Sequence, residues 1–181
     1  ACRSRTDLPD SKSEPTADRL QQMNSLQKTP VKTKAGIFML EFSPKGLYAV
    51  RFPSKMPDST PPARWGGFGK KRLKLDLTGY TPFQRRVYAA LRKVPAGKTI
   101  TYGELAKRAG YPGAARAVGS AMRKNRLPIV IPCHRVIQGD GSLGAYSAGV
   151  KWKRFLLECE KVLACQSVNV SKYQSFDVLI L

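Results

Sequence analysis

The run Ile129-Val130-Ile131-Pro132-Cys133-His134-Arg135-Val136-Ile137 sets a thiol beside an imidazole and a guanidinium. Cysteine attacks as its thiolate, and a free pKa of about 8.5 leaves only a few per cent ionised at neutral pH. Lowering that value needs a base or a nearby positive charge, and His134 and Arg135 could supply both. The chemistry on offer is therefore nucleophilic attack by sulfur. Geometry stands in the way, because the stretch is β-prone and neighbours in an extended strand point to opposite faces. Either the chain turns sharply at Pro132-Cys133, or a water carries the proton between the two side chains. A buried, inert cysteine beside an ordinary histidine is the competing reading.

A base of this kind needs a third group to orient it. Residues 152–163 read as a helix with Trp152, Phe155, Leu156, Cys159 and Leu163 on its core face. Glu160 lies on the border of that face, and Glu158 is placed to pair outward with Arg154. A carboxylate at the edge of a core needs a partner, and His134 is the sole histidine of the chain.

Upstream, Thr81-Pro82 reads as a helix N-cap with proline at the first turn. Phe83, Val87, Ala90 and Leu91 then form one apolar face, and Val94-Pro95-Ala96-Gly97 closes the helix. Thr101-Tyr102-Gly103-Glu104 is a capping-box pattern that starts a short helix with Leu105, Ala106 and Ala109 inward. Gly110-Tyr111-Pro112-Gly113 interrupts the chain before a helix over 114–124, whose buried face is expected to be Ala117, Val118 and Ala121. This is a helix-turn-helix outline, one shared by many helix corners that never touch DNA. Arg116, Gly119, Ser120 and Arg123 fall at i, i+3, i+4 and i+7, so two cations flank two tiny residues on the outer face.

Charge favours the nucleic-acid reading of that face. The 181-residue chain carries 32 Lys and Arg against 12 Asp and Glu, a net charge of +20. Between Arg64 and Arg126 sixteen cations meet only Asp76 and Glu104, a local net charge of +14. A basic patch around a helix-turn-helix is the electrostatic footprint of a nucleic-acid binder.

Other classes recede. Apolar residues at 42% supply a real core, and no apolar run is long enough to span a bilayer as a helix. The opening Ala1-Cys2-Arg3-Ser4-Arg5 does not read as a secretory signal. Cys2, Cys133, Cys159 and Cys165 contain no C-x-x-C pair, so neither a zinc site nor a disulfide scaffold is expected. Residues 1–33 are polar and read as a tail. Two β-prone runs, 38–42 and 47–52, flank Ser43-Pro44-Lys45-Gly46 as a hairpin, and 53–72 reads as a basic linker.

Taken together, these motifs resemble the O6-alkylguanine-DNA alkyltransferases, also called methylated-DNA–protein-cysteine methyltransferases. The resemblance runs from about Thr81 to Glu160, with a weaker echo at 37–52. It is carried by Ala114-Ala115-Arg116-Ala117-Val118-Gly119, Asn125, Pro128, Pro132-Cys133-His134-Arg135-Val136, Gly144, Tyr146-Ser147 and Glu160. It implies an α+β fold: a small N-terminal domain with a sheet, then a mainly helical, winged-helix-like C-terminal domain carrying the helix-turn-helix. The corresponding boundaries are a tail at 1–33, a reduced β-containing domain at 34–77, the DNA-binding and alkyl-acceptor domain at 78–163, and an extension at 164–181.

The resemblance also assigns roles. Cys133 would take the alkyl group from guanine O6, with His134 as a water-mediated base oriented by Glu160. Asn125 would hold the turn bearing the cysteine, and Tyr102 would help rotate the nucleotide and protonate the leaving guanine. Arg116 would fill the gap left by the extruded base, with Ala115, Ala117, Gly119, Ser120 and Arg123 against the DNA. Pro128, Val136, Tyr146 and Ser147 would surround the flipped base. The implied protein is a single-use repair enzyme, a monomer without cofactor or metal. It would act on double-stranded DNA containing O6-alkylguanine, with O4-alkylthymine as a further lesion. It would work inside the cell with DNA, in the nucleus of a eukaryote or the cytoplasm of a bacterium. The alternative is a non-enzymatic lesion binder of the alkyltransferase-like kind, against which Cys133 itself argues. A helix-turn-helix regulator and a Cys-His hydrolase are more distant readings.

Overall fold

Alternating apolar residues build the N-terminal part. The computed structural model describes residues 26–33, 35–57 and 73–165, with side chains as far as Glu160. β2 (Gly36–Ser43) buries Phe38 and Leu40, and β3 (Gly46–Arg51) buries Leu47, Ala49 and Val50. β2 is the central strand, antiparallel to β3 on one side and to β1 (Gln27–Thr33) on the other. The β2–β3 register slips between Glu41 and Phe42. Such a bulge breaks the two-residue alternation, and Glu41 follows Leu40 into a buried position where Arg51 pairs with it at 3.1 Å. Gly46 has a φ of +137°, and a Cβ there would collide with the Lys74 carbonyl. That close approach lets Leu47 exchange backbone hydrogen bonds with Lys74 and Asp76, docking 74–76 on the free edge of β3.

β1 corrects the expected tail, because residues 27–33 are a strand. Only Val31 of this strand is both apolar and turned inward, opposite Phe38. The apolar pattern is therefore silent, and the edge position tolerates Pro30. The rest of the tail, 1–25, lies outside the described residues, as do 58–72 of the linker and 166–181 of the extension.

The C-terminal part is helical. α1 (Pro82–Arg92) starts at Thr81, whose side chain accepts from the Gln84 amide while the Gln84 side chain accepts from the Thr81 amide. Its buried face is Gln84, Val87, Tyr88 and Leu91, with Phe83 and Ala90 at the margin. α2 (Tyr102–Arg108) opens with the expected Thr101–Glu104 capping box. α3 (Ala115–Arg123) buries Val118, Ala121 and Met122, the i, i+3, i+4 stripe. Ala117, expected in that face, falls outside the stripe and is exposed. α4 (Val150–Cys165) runs past the expected end at 163. The two-residue strands β4 (Ile100–Thr101) and β5 (Val136–Ile137) pair in parallel beneath α2.

One core joins the two parts. Trp152 of α4 packs against Phe52 at 4.9 Å and Phe38 at 5.9 Å, and Phe52 meets Tyr146 edge-on at 6.2 Å. The sheet thus braces both α4 and the loop before it. The fold is α+β.

Candidate active site at Cys133

The chain bends at the cysteine. Cys133–Arg135 form a single 3-10 turn between Pro132 and β5. The chain does turn sharply there, but the turn leaves His134 hydrogen-bonded to Glu160 and not to the sulfur, so a water is still needed to carry a proton between them. The segment leading into the turn is bracketed by Asn125, whose Oδ1 accepts from the Leu127 amide at 2.9 Å and whose Nδ2 donates to the Ile131 carbonyl at 3.0 Å. Between those points Ile129 is held at a φ of 75°. A β-branched residue in the left-handed region is an outlier that its surroundings must enforce.

Asn125 Nδ2 also donates to Cys133 Sγ at 3.2 Å, and the thiol lies 3.8 Å from the Tyr146 hydroxyl. Burial raises the thiol pKa above its ordinary value, outweighing the lowering effect of the Asn125 and Tyr146 hydrogen bonds. The expected depression by His134 and Arg135 is not found, since the Arg135 guanidinium is committed to Glu160. Its Nη2 donates to Glu160 Oε1 at 2.8 Å, its Nε contacts both carboxylate oxygens at 3.1 Å, and its Nη1 donates to the Val94 carbonyl. At rest the sulfur is a thiol.

His134 Nε2 lies 2.7 Å from Glu160 Oε1, the pairing that the lone histidine and border carboxylate suggested. Burial alone would raise Glu160, but hydrogen bonds from His134 and Arg135 bring it down to about 2, so it is a carboxylate that only accepts. Nε2 is then the protonated nitrogen. Burial holds the imidazole below its ordinary pKa, so the ring is neutral at neutral pH. Its Nδ1 is left with a free lone pair, buried and without a hydrogen-bond partner in the protein. The arrangement presents a basic nitrogen beside the cysteine turn, with a carboxylate positioned to stabilise the imidazolium that proton uptake would form.

The sulfur opens into a cleft of about 430 Å³. Tyr102 at the start of α2 lines it with Arg116, Gly119, Ser120 and Arg123 of α3. Tyr146 and Ser147 line it as well. Burial, and secondarily the nearby Cys133, raise the Tyr102 pKa, so its phenol keeps its proton at neutral pH. Pro128 and Val136 are buried and, like Ala115 and Ala117, do not line the cleft.

Sequence reasoning missed Met122 and Ala145 in the lining, and Lys153 behind it. Lys153 is fully buried on α4, where its Nζ donates to the carbonyls of Val136 and Leu143. It therefore ties the strand after the cysteine turn to the loop leading toward Tyr146. Desolvation lowers its pKa to about 8. Its only sequence signal is its place between Trp152 and Phe155, where a lysine would be expected to reach solvent. Among the described residues, no group of three or more His, Cys, Asp or Glu could hold a metal ion, and no helix is long and apolar enough to cross a membrane.

The chain is similar to several known proteins. Residues 82–162 match the family model described as 6-O-methylguanine DNA methyltransferase, DNA binding domain. The methylated-DNA–protein-cysteine methyltransferase of Salmonella typhimurium is 54% identical over 86 residues, 48% of this chain and 50% of that protein. The chain spans about half the length of the curated relatives it matches. Among solved structures, Mycobacterium tuberculosis O6-methylguanine methyltransferase superposes with a TM-score of 0.63 at 32% identity, covering 82% of this chain and 99% of that one. Mycobacterium tuberculosis OGT in complex with DNA gives 0.61 at 36%, covering 73% and 91%.

Proposed function

Because this chain belongs to the 6-O-methylguanine DNA methyltransferase family, we propose that it repairs DNA by moving an alkyl group from guanine O6 onto Cys133 Sγ. The observation that carries this reading is the sulfur at a cleft backed by Asn125 and by a neutral His134 fixed on Glu160. The cleft walls divide the remaining work. Guanine O6 is inside the duplex stack, so the nucleotide must be extruded, which costs a few kcal/mol. Arg116 on the outer face of α3 fills the vacated space and offsets part of that cost. Gly119 and Ser120 keep α3 slim enough for close approach to a minor groove, and Arg123 supplies phosphate attraction.

The thiol proton passes through a water to His134 Nδ1, giving an imidazolium that faces the Glu160 carboxylate. Sulfur forms a bond to the alkyl carbon as the carbon–oxygen bond breaks, and that electron pair stays on the guanine. Tyr102 donates its phenolic proton to the departing base, a step that matters because anionic guanine is a poor leaving group. The product is a thioether with no return path, so each chain acts once, as a monomer. O4-alkylthymine presents the same alkyl–oxygen bond and is a second substrate on this reading. A DNA substrate puts the protein wherever the genome is, nucleus or cytoplasm.

The test is transfer from a duplex labelled in the methyl group of O6-methylguanine. Label on the protein should saturate at one methyl per chain, and Cys133→Ser should take up none while still binding the duplex. Repeated turnover, or equal uptake by Cys133→Ser, would overturn the proposal.

A further inference from the structure

We infer that Arg126 is a positioning residue for the Cys133 thiol, through which the N-terminal sheet sets the reactivity of the site; this rests on the alkyl-transfer reading above. Arg126 directly follows Asn125. Its guanidinium carbon lies 4.1 Å from the Tyr48 ring centre and 4.4 Å from that of Tyr80, a cation held between two aromatic faces. Nη1 donates to the Tyr48 hydroxyl at 3.2 Å and Nη2 to the Thr78 carbonyl at 2.7 Å. Its backbone amide donates to the Tyr80 hydroxyl, and its carbonyl accepts from the Val50 amide, each at 2.8 Å. Two of these anchors, Tyr48 and Val50, belong to β3, and the other two to residues 78–80.

The neighbouring Asn125 makes the hydrogen bond to Cys133 Sγ and brackets the turn holding Ile129 in the left-handed region. A strained turn keeps its shape only when both ends are fixed from outside. The downstream end runs into the 3-10 turn, and the upstream end is the Arg126 clamp. A connected path therefore runs from β3 through Arg126 and Asn125 to the sulfur. Arg126 Nε is buried without a partner. If the slot served only to join sheet to helices, an apolar side chain would do so without that desolvation cost.

The experiment uses the full chain with Arg126→Ala, Arg126→Lys and Tyr48→Phe. Two readouts are taken: the rate of methyl uptake from an O6-methylguanine duplex, and the pH midpoint of Cys133 carbamidomethylation by iodoacetamide, followed by peptide mass without DNA. Loss of the ordered Asn125 donor should lower the transfer rate of Arg126→Ala about tenfold and raise the midpoint by about one pH unit. Affinity for undamaged duplex should change much less than the transfer rate, because the Arg126 guanidinium is held between the Tyr48 and Tyr80 rings. Arg126→Lys keeps a cation between the rings and should recover part of both losses. Tyr48→Phe removes one acceptor but leaves the ring, and should move both readouts in the same direction by two- to threefold or its equivalent (about one hydrogen bond's worth). This variant and Arg126→Lys decide the matter if Arg126→Ala does not fold. Folded variants with wild-type transfer rates and midpoints, even if less stable, would overturn the inference. Should the wild-type chain transfer no methyl at all, the alkyl-transfer reading fails, while the carbamidomethylation midpoint still decides the role of Arg126.

Discussion

Replacing Glu160 with glutamine removes the charge on which His134 and Arg135 converge. The carboxylate accepts from the Gly97 amide, His134 Nε2 and Arg135 Nε and Nη2, so its oxygens face donors on every described side. Glutamine keeps one acceptor oxygen but turns an NH2 group toward those donors. Holding a carboxyl at about 2 in place of 4.5 corresponds to roughly 3 kcal/mol of preference for the ionised form. This agrees with the cost of about 3–5 kcal/mol for removing one partner of a buried ion pair. A depressed carboxyl pKa stabilises the fold fully above the ordinary value and loses that contribution as pH falls through the depressed one. The stability gap between wild type and Glu160→Gln should therefore be about 3 kcal/mol at neutral pH and shrink as the pH falls toward about 2. Urea unfolding across that range measures it. The methyl-transfer rate at neutral pH should fall about a hundredfold or more, because the imidazolium loses its partner. A gap under about 1 kcal/mol at neutral pH, the worth of a surface pair, or a gap that does not change with pH, would mean that Glu160 is not held as a buried, doubly paired carboxylate.

Other outcomes follow from the same geometry. Ile129→Gly should be more stable than Ile129→Ala by about 1 kcal/mol in urea unfolding, because glycine alone accepts the left-handed backbone without strain. Gly46→Ala should cost roughly 3 kcal/mol by the same measurement, since both the positive φ and the Lys74 carbonyl oppose a side chain there. Lys153 binds its proton less tightly folded than unfolded, so from about 8 up to its ordinary 10.5 the unfolded chain holds more protons. Wild type should therefore gain stability relative to Lys153→Met as pH rises through that interval, as read by unfolding at a series of alkaline pH values.

What could be read in the sequence was local. Thr101 and Glu104 announce a capping box because both partners lie within one helical turn. The pairing of His134 with Glu160 was legible for another reason: a single histidine and a border carboxylate leave few alternatives. β1 escaped because an edge strand buries little, so Val31 alone is no pattern. The clamp at Arg126 escaped because Tyr48, Thr78 and Tyr80 meet it only after the sheet has docked. The raised pKa of the Cys133 thiol was not legible, because adjacency in sequence places Arg135 beside the sulfur. In the fold Arg135 turns to Glu160 and the Val94 carbonyl, and burial decides the thiol pKa.

If the Cys133 sulfur takes the alkyl carbon from a damaged guanine, it must carry that carbon afterwards. Peptide mass mapping after exposure to an O6-methylguanine duplex tests this most directly. One added methyl is expected on the peptide containing Cys133, with an unmodified guanine left in the DNA. An unmodified Cys133 after the duplex has been bound to completion would contradict the transfer.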